Sequence, residues 1–280
     1  MKGDYMGLIE FINEHIYTTK KECDLICSNY YRYYRTFALS DVVDFHEGDI
    51  SWIIPKEGEN GPALAFNIQL KQETAEKEIQ KLIEGIRDKK VPSLWFVTPD
   101  TKPNNIISLL EQSGFENLSS ASDDPEPGML LNKDDFRPYH MADDGITCRK
   151  VQSREEFCTW IDIVNIALHG WEMINAENYY TWLENGIYDF YLAEINGIPV
   201  STAATIRSGN TASLEFVSTL KEYRRKRAGI TVSSNAISEL FANGVEDVTL
   251  SGSLEAVALY QKLGFHSCFE NILLKYILFK

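Results

Sequence analysis

The chain has 280 residues, of which 44% are apolar and 24% charged, and a formal net charge of −14. This length is comfortable for two domains of ordinary size, and the composition is that of a folded globular protein. The acidic balance argues against general nucleic-acid affinity, which draws on many Lys and Arg contacts to phosphate. No apolar run approaches a membrane span. The opening "MKGDYMGLIEFINEHI" lacks the apolar core and cleavage site of a signal peptide, so the sequence reads as cytoplasmic. Cys23, Cys27, Cys148, Cys158 and Cys268 have no framework spacing, and no second ligand pair accompanies Cys23 and Cys27. Buried thiols and no metal are therefore expected.

Two helical patterns begin the chain, "LIEFINEHI" and "KKECDLICSNYYRYYR". Strand-like runs follow at "DISWIIP" and "ALAFNIQL", separated by the turn "KEGENG". "ETAEKEIQKLIEGIRDKK" is an amphipathic helix with Ile79, Leu82, Ile83 and Ile86 on one face. "LWFVT" reads as a buried strand, "NNIISLLEQSGF" as a helix ending at Gly114, and "GMLLN" as another strand. After the polar joint "NKDDFRPYHMADDG" comes the strand "ITCRKV". The helix "SREEFCTWIDIVNIAL" carries a Ser153 cap and Glu155 and Glu156 in its first turn. "NAENYYTWLENGI" is a second helix, and "FYLAEINGIPVSTAATI" a hairpin turning at Asn196-Gly197. "SLEFVSTL" is a strand, "AGITVSSNAISELFANG" a helix stopped at Gly244, and "DVTLSG" a strand. "LEAVALYQKLGF" is a helix stopped at Gly264, and "FENILLKYILF" supplies the terminal strand.

The two parts repeat one device: helix, short strand, helix, Gly-Phe, strand. "IISLLEQSGFE" aligns without a gap on "AVALYQKLGFH", matching Gly114 to Gly264, Phe115 to Phe265 and Leu109 to Leu259. A duplicated fold is expected, divided into residues 1–138 and 139–280. Tyr260 stands opposite Leu110, and the first half has no counterpart to the basic turn of the second, so the polar chemistry is expected in the second half alone.

That turn lies in "LEFVSTLKEYRRKRAGITV". Of 12 basic residues in positions 141–280, five (Lys221, Arg224, Arg225, Lys226, Arg227) fall within seven positions. A strand ends there, cations crowd a short turn, and a helix begins near Gly229. The free N–H groups and positive dipole end of that helix make an anion site, which glycine lets a phosphate approach. The alternative is a solvated charged turn with an ordinary cap. Neither the triphosphate P-loop nor the dinucleotide fingerprint is present.

Together with "SLEAVALYQKLGF", the spacing resembles the GNAT superfamily of acyl-CoA-dependent N-acyltransferases. The family's pyrophosphate loop runs Q/R-x-x-G-x-G/A after a strand, and a later helix reads N-x-x-A-x-x-L-Y-x-K-x-G-F. Arg224 and Gly229 fill the first and last loop positions. Ala256, Leu259, Tyr260, Lys262, Gly264 and Phe265 fill the helix motif, and one helix and one strand separate the two. The resemblance covers about residues 145–280. Arg227 replaces the usual first loop glycine, and Ser253 the usual Asn.

The resemblance implies an α/β fold of two tandem GNAT-like halves, each a mixed, mainly antiparallel sheet flanked by helices, the N-terminal half degenerate. It implies acetyl-CoA as co-substrate and transfer of its acetyl group to a primary amine of a small molecule or peptide by direct attack. Phe216, Val217, Ser218 and Thr219 would hold the pantetheine arm. Arg224, Arg225, Lys226, Arg227, Ala228, Gly229 and Ile230, with Ser253, would hold the phosphates. Tyr260 would protonate the leaving thiolate, and Glu215 would act as base, its side chain on the same face as Val217 and Thr219. A catalytically silent CoA-binding or protein-interaction module is the competing class, and an aminoacyl or peptidyl transferase a further one. His169-Gly170-Trp171 reads as a helix C-cap with a packed indole, or as part of an acceptor pocket. The run Tyr30–Arg35 is core on one side and solvated on the other, or faces a ligand. The acceptor and the oligomeric state are not legible.

Overall fold

A computed structural model describes residues 18–121, 126–139 and 145–278. The pattern "LIEFINEHI" lies outside them. Helix α1 (Lys20–Thr36) begins at Thr19, whose hydroxyl accepts the Glu22 N–H while the Glu22 carboxylate accepts the Thr19 N–H. This reciprocal cap fixes where the helix starts. Then come β1 (Val43–His46), β2 (Ser51–Pro55) and β3 (Leu64–Phe66), the last shorter than its apolar run because Asn67 turns left-handed at φ 51°. Helix α2 (Ala75–Arg87) buries Ile79, Ile83 and Ile86, as its period requires. The first half continues through β4 (Leu94–Val97), α3 (Ile106–Gln112), β5 (Phe115–Asn117), the single turn α4 (Leu118–Ala121) and β6 (Glu126–Asn132).

The second half starts with β7 (Ile146–Lys150) and α5 (Arg154–Val164), where Ser153 and Glu156 form another reciprocal cap. A π-helical turn (Asn165–His169) extends α5, and two single turns, α6 (Ala176–Tyr179) and α7 (Thr181–Glu184), replace the one helix expected. Strands β8 (Tyr188–Ile195) and β9 (Ile198–Ser208) form the expected hairpin. Its turn residues Asn196 and Gly197 both have positive φ, 53° and 77°, as a tight hairpin turn demands. Then follow β10 (Thr211–Thr219), α8 (Ala228–Ala242), β11 (Asp247–Ser251), α9 (Leu254–Leu263) and β12 (His266–Tyr276).

The expected two sheets form one 12-stranded sheet ordered β1-β2-β3-β4-β12-β6-β11-β10-β9-β8-β7, with β5 on β12. Its parallel strand pairs are β3–β4 and β10–β11; the other strand pairs are antiparallel. The halves are joined by exchange. Strand β6, from the first half, lies between β11 and β12. The end of β12, from the second half, lies between β4 and β5. The aligned glycines Gly114 and Gly264 end α3 and α9 in the same left-handed conformation, φ 98° and 104°. At Gly264 a Cβ would also stand 2.1 Å from the Asp135 carbonyl oxygen.

Helix α1 packs over the sheet of the second half. Its Tyr33 ring lies 5.4 Å from Phe216 of β10, and Trp182 of α7 donates its indole N–H to the Thr36 carbonyl at 2.9 Å. These rings join Trp160, Tyr188 and Phe190 in one core. A second core fills the opposite face under α8 and α9, and a third lies under α2 and α3.

Candidate active site

The parallel pairing of β10 with β11 stops at Ser213–Thr249, yet β10 runs on to Thr219 and β11 to Ser251. The strands therefore part, and along 214–219 the edge of β10 away from β9 has no strand partner among the described residues. A bulge drives the parting. Glu215 pairs with Ala204 and Ser218 with Thr202, so Phe216 and Val217 both face the single residue Ala203. Phe216 takes φ 52° to fit.

The bulge corrects one expectation. It ends the alternation of side chains, so Glu215 does not share a face with Val217 and Thr219. Glu215 lies opposite Ala204, which belongs to the core under α1 with Phe216, whereas Val217 packs into the core under α8 and α9. Ser218 is buried, its hydroxyl 2.7 Å from that of Thr202; the Thr219 hydroxyl is 2.8 Å from that of Ser201.

Beyond Thr219 a short 3-10 turn (Lys221–Tyr223) leads into the basic loop. Arg224 braces this loop: its Nε donates to the Thr219 carbonyl and its Nη2 to the Ala167 carbonyl, both at 3.3 Å, and Nη1 stands 4.0 Å from Glu255. Arg225, Lys226 and Arg227 are exposed, with the Lys226 ammonium 4.9 Å from the Tyr223 ring centre. Arg225 and Arg227 both have positive φ, 62° and 72°. Arg227 thus keeps the left-handed backbone that a glycine would adopt without strain. No side chain caps α8 there, so its first N–H groups lie beside the cations without a side-chain cap. Ala228 and Ile230 are buried. At Gly229 a Cβ would meet the Thr219 hydroxyl at a tight 3.2 Å and Leu259 at an ordinary 3.5 Å.

Tyr260 lies on α9, buried, its ring against Gly252 and 5.7 Å from that of Phe265. Burial, and then the charge of Glu215, hold its phenol well above the usual tyrosine range, so it is protonated at neutral pH. Burial likewise lifts the Glu215 carboxyl to about 8, with Ser213 working the other way. The phenol and the carboxyl are thus close enough for the charge of one to act on the other, though they belong to opposite faces of the sheet. Ser253 occupies the N-cap of α9, exposed and with no cap bond from its hydroxyl.

The first half closes the corresponding gap with its own backbone. After the β3–β4 pair, the Lys102 N–H donates to the Ile68 carbonyl at 2.8 Å and the Leu70 N–H to the Lys102 carbonyl at 3.1 Å. Gln69 and Lys102 form a parallel bridge there, so the two backbones stay paired beyond the strands.

Sequence reading did not bring Tyr33 to this site, where its ring meets that of Phe216. Burial raises the phenols of Tyr33 and Tyr34 on α1, and nearby carboxylate charges add to it. The aromatic run signalled them but not their direction. Trp171 is 51% exposed, so its indole is not packed, while Gly170 does form the expected left-handed cap at φ 74°. Burial pushes the His169 imidazole down to about 4. Ile166, Gly170, Trp171, Cys158 and Asp162 line a cavity of about 510 Å³ outside α5.

Residues 154–279 match the family described as "Acetyltransferase (GNAT) domain". The chain carries a GNAT acetyltransferase domain, a class whose chemistry is acyl transfer from acyl-CoA. Solved structures share the fold over nearly the whole chain. A GCN5-related N-acetyltransferase from Kribbella flavida is 17% identical with a TM-score of 0.70, over 91% of this chain and 95% of that one. One from Sphaerobacter thermophilus is 16% identical with a TM-score of 0.60, over 80% and 79%. A tandem GNAT protein from the clavulanic acid biosynthesis pathway is 11% identical with a TM-score of 0.57, over 86% of each chain. No curated protein is similar enough to match. Among the described residues no helix is long and apolar enough to cross a membrane, and no group of His, Cys, Asp and Glu is arranged to hold a metal ion.

Proposed function

We propose that residues 139–280 form an N-acetyltransferase that moves the acetyl group of acetyl-CoA to a primary amine of a small molecule or peptide by direct attack. Residues 1–138 are the degenerate half, which contributes α1 as a cover over the site. The observation that carries this reading is the parting of β10 from β11 beside the uncapped N-terminus of α8 and its basic loop. An extended arm fits along Phe216, Val217, Ser218 and Thr219. Phosphates fit the N–H groups of Arg227, Ala228, Gly229 and Ile230 and the charges of Arg225 and Lys226, while Arg224 braces the loop and Ser253 lines its far side.

Acetyl-CoA supplies a thioester already activated toward amines. Glu215 takes the proton that the amine loses on attack, in its ionised form or through a water. Tyr260 gives its proton to the departing sulfur, a role for which its raised pKa keeps it charged with a proton. The remaining acceleration comes from holding amine and thioester together. Five free thiols suit a reducing compartment, and we place the protein in the cytoplasm.

Thermal unfolding with acetyl-CoA, dephospho-CoA and buffer tests the reading. A site saturated at about a hundred times its Kd adds roughly 2.7 kcal/mol of stability. No shift with any CoA would overturn it, and a shift without thiol release across an amine panel would leave the silent CoA-binding module instead.

A further inference from the structure

Of the seven large apolar side chains exposed among the described residues, three fall within six positions: Ile166, Leu168 and Trp171, at 67%, 47% and 51%. Scattered singly, such side chains are ordinary; gathered beside a cavity, they mark a place of contact. The cavity of about 510 Å³ that Ile166 and Trp171 line has the size of a ligand pocket. It lies on the side of α5 turned away from the sheet. Trp160 faces the sheet, its indole N–H donating to the Ala203 carbonyl at 3.1 Å. Cys158 and Asp162, two residues to either side and so on the opposite helix face, line the cavity. Helix α5 therefore stands between the cavity and β9.

The walls are fixed before anything binds. Ile161 and Ile174, both buried, supply apolar lining. The buried Asn165 side chain in the π-helical turn donates to the Ile174 carbonyl at 2.7 Å and accepts the Met173 and Ile174 N–H groups at 3.1 and 3.2 Å. These bonds stitch the far wall to the end of α5, and a site held in this way loses little freedom on binding. The charge is one-sided. Asp162 and Glu172 line the cavity, and no Lys, Arg or His among the described residues does. Neither carboxylate has an ion-pair partner among the described residues; Glu172 accepts the Asn175 amide at 3.1 Å.

We infer that this groove docks a protein segment that presents an arginine between apolar side chains. The guanidinium lies at Asp162 and Glu172 and over Trp171, and its stem and neighbours lie against Ile166 and Leu168. A guanidinium matches carboxylates in geometry, its stem covers apolar surface, and an indole is the best ring to receive it. The partner is held next to the basic loop, which Arg224 ties to the Ala167 carbonyl of the same turn. This docking goes beyond the acyl-transfer reading and needs no reacting amine.

The test is calorimetric titration of the full chain with the N-acetylated, amidated peptide Leu-Phe-Arg-Leu-Phe and with the same peptide carrying citrulline, the neutral isostere, for arginine. Neither has a primary amine, so the outcome is independent of the acyl-transfer reading. The arginine peptide should bind about tenfold or more tighter than the citrulline peptide. Asp162→Asn combined with Glu172→Gln should bring the two within about twofold. Trp171→Ala, an exposed position whose variant should keep the wild-type melting temperature, should weaken both peptides about tenfold. No measurable binding, equal binding of the two peptides, or affinities untouched by Trp171→Ala overturns the proposal. Sedimentation showing a wild-type dimer that Ile166→Ser dissolves would assign the face to a second copy of the chain, and would overturn it as well.

Discussion

Replacing Glu215 by Gln removes a carboxyl that burial lifts to about 8 while keeping its shape. With that value, roughly 1% of the group is ionised at about pH 6 and roughly half at about pH 8, so a rate carried by the carboxylate climbs about fiftyfold. The assay is thiol release from acetyl-CoA with a weakly basic acceptor, neutral over the whole interval, so that its own ionisation adds no slope. The wild type should show kcat/KM rising and levelling above about 8. Glu215→Gln should lose the rise and run about a hundredfold slower at the plateau. Folding should respond with the opposite sign. The folded chain holds this proton up to about 8, whereas an unfolded Glu releases it near about 4.3. The stabilisation it brings is full below the lower value and lost as pH rises toward the upper, so Glu215→Gln should flatten stability across that window. A variant that keeps both the wild-type rate and its rise would refute the assignment of Glu215 as base.

Tyr260→Phe should lower kcat by about a hundredfold or more with CoA affinity nearly unchanged, measured by single-turnover kinetics beside calorimetry. Gly264→Ala should cost about 2–5 kcal/mol in denaturant unfolding, because it combines a left-handed backbone with a clash against the Asp135 carbonyl. Gly114→Ala, whose Cβ would meet Tyr276 at an ordinary 3.4 Å, should cost only the conformational part, about 1–2 kcal/mol. Arg227→Gly should raise stability by about 0.5 kcal/mol, since relief at φ 72° exceeds the added chain entropy, while making CoA affinity less salt-dependent.

Much of this architecture was legible because it is local. The caps at Ser153 and Gly264, the Asn196-Gly197 turn and the amphipathic face of α2 each depend on a few neighbouring residues. The basic loop and the Tyr260 helix were legible as a spacing. Three features were not. The bulge at Phe216 obeys the register of β9, sixteen or fewer residues away in sequence but invisible to a period-two reading, which puts Glu215 on the wrong face. The direction of Tyr33 and Tyr34 depends on where α1 docks, which is decided by the sheet of the other half. The exchange of β6 and β12 is long-range by nature, and a strand pattern says nothing about which sheet receives it. The family match beginning at 154 illustrates the same limit, since it omits β6, which lies in the middle of that domain's sheet.

That exchange decides how this protein can be taken apart. A crossover near residue 138 looks natural in the linear sequence, yet each product would lack one interior strand and expose two raw edges. Chimeras with other tandem proteins would have to transplant β6 with the second half and the last residues of β12 with the first. The smallest inheritable unit is therefore the whole chain. Losing the first half would cut a strand out of the second.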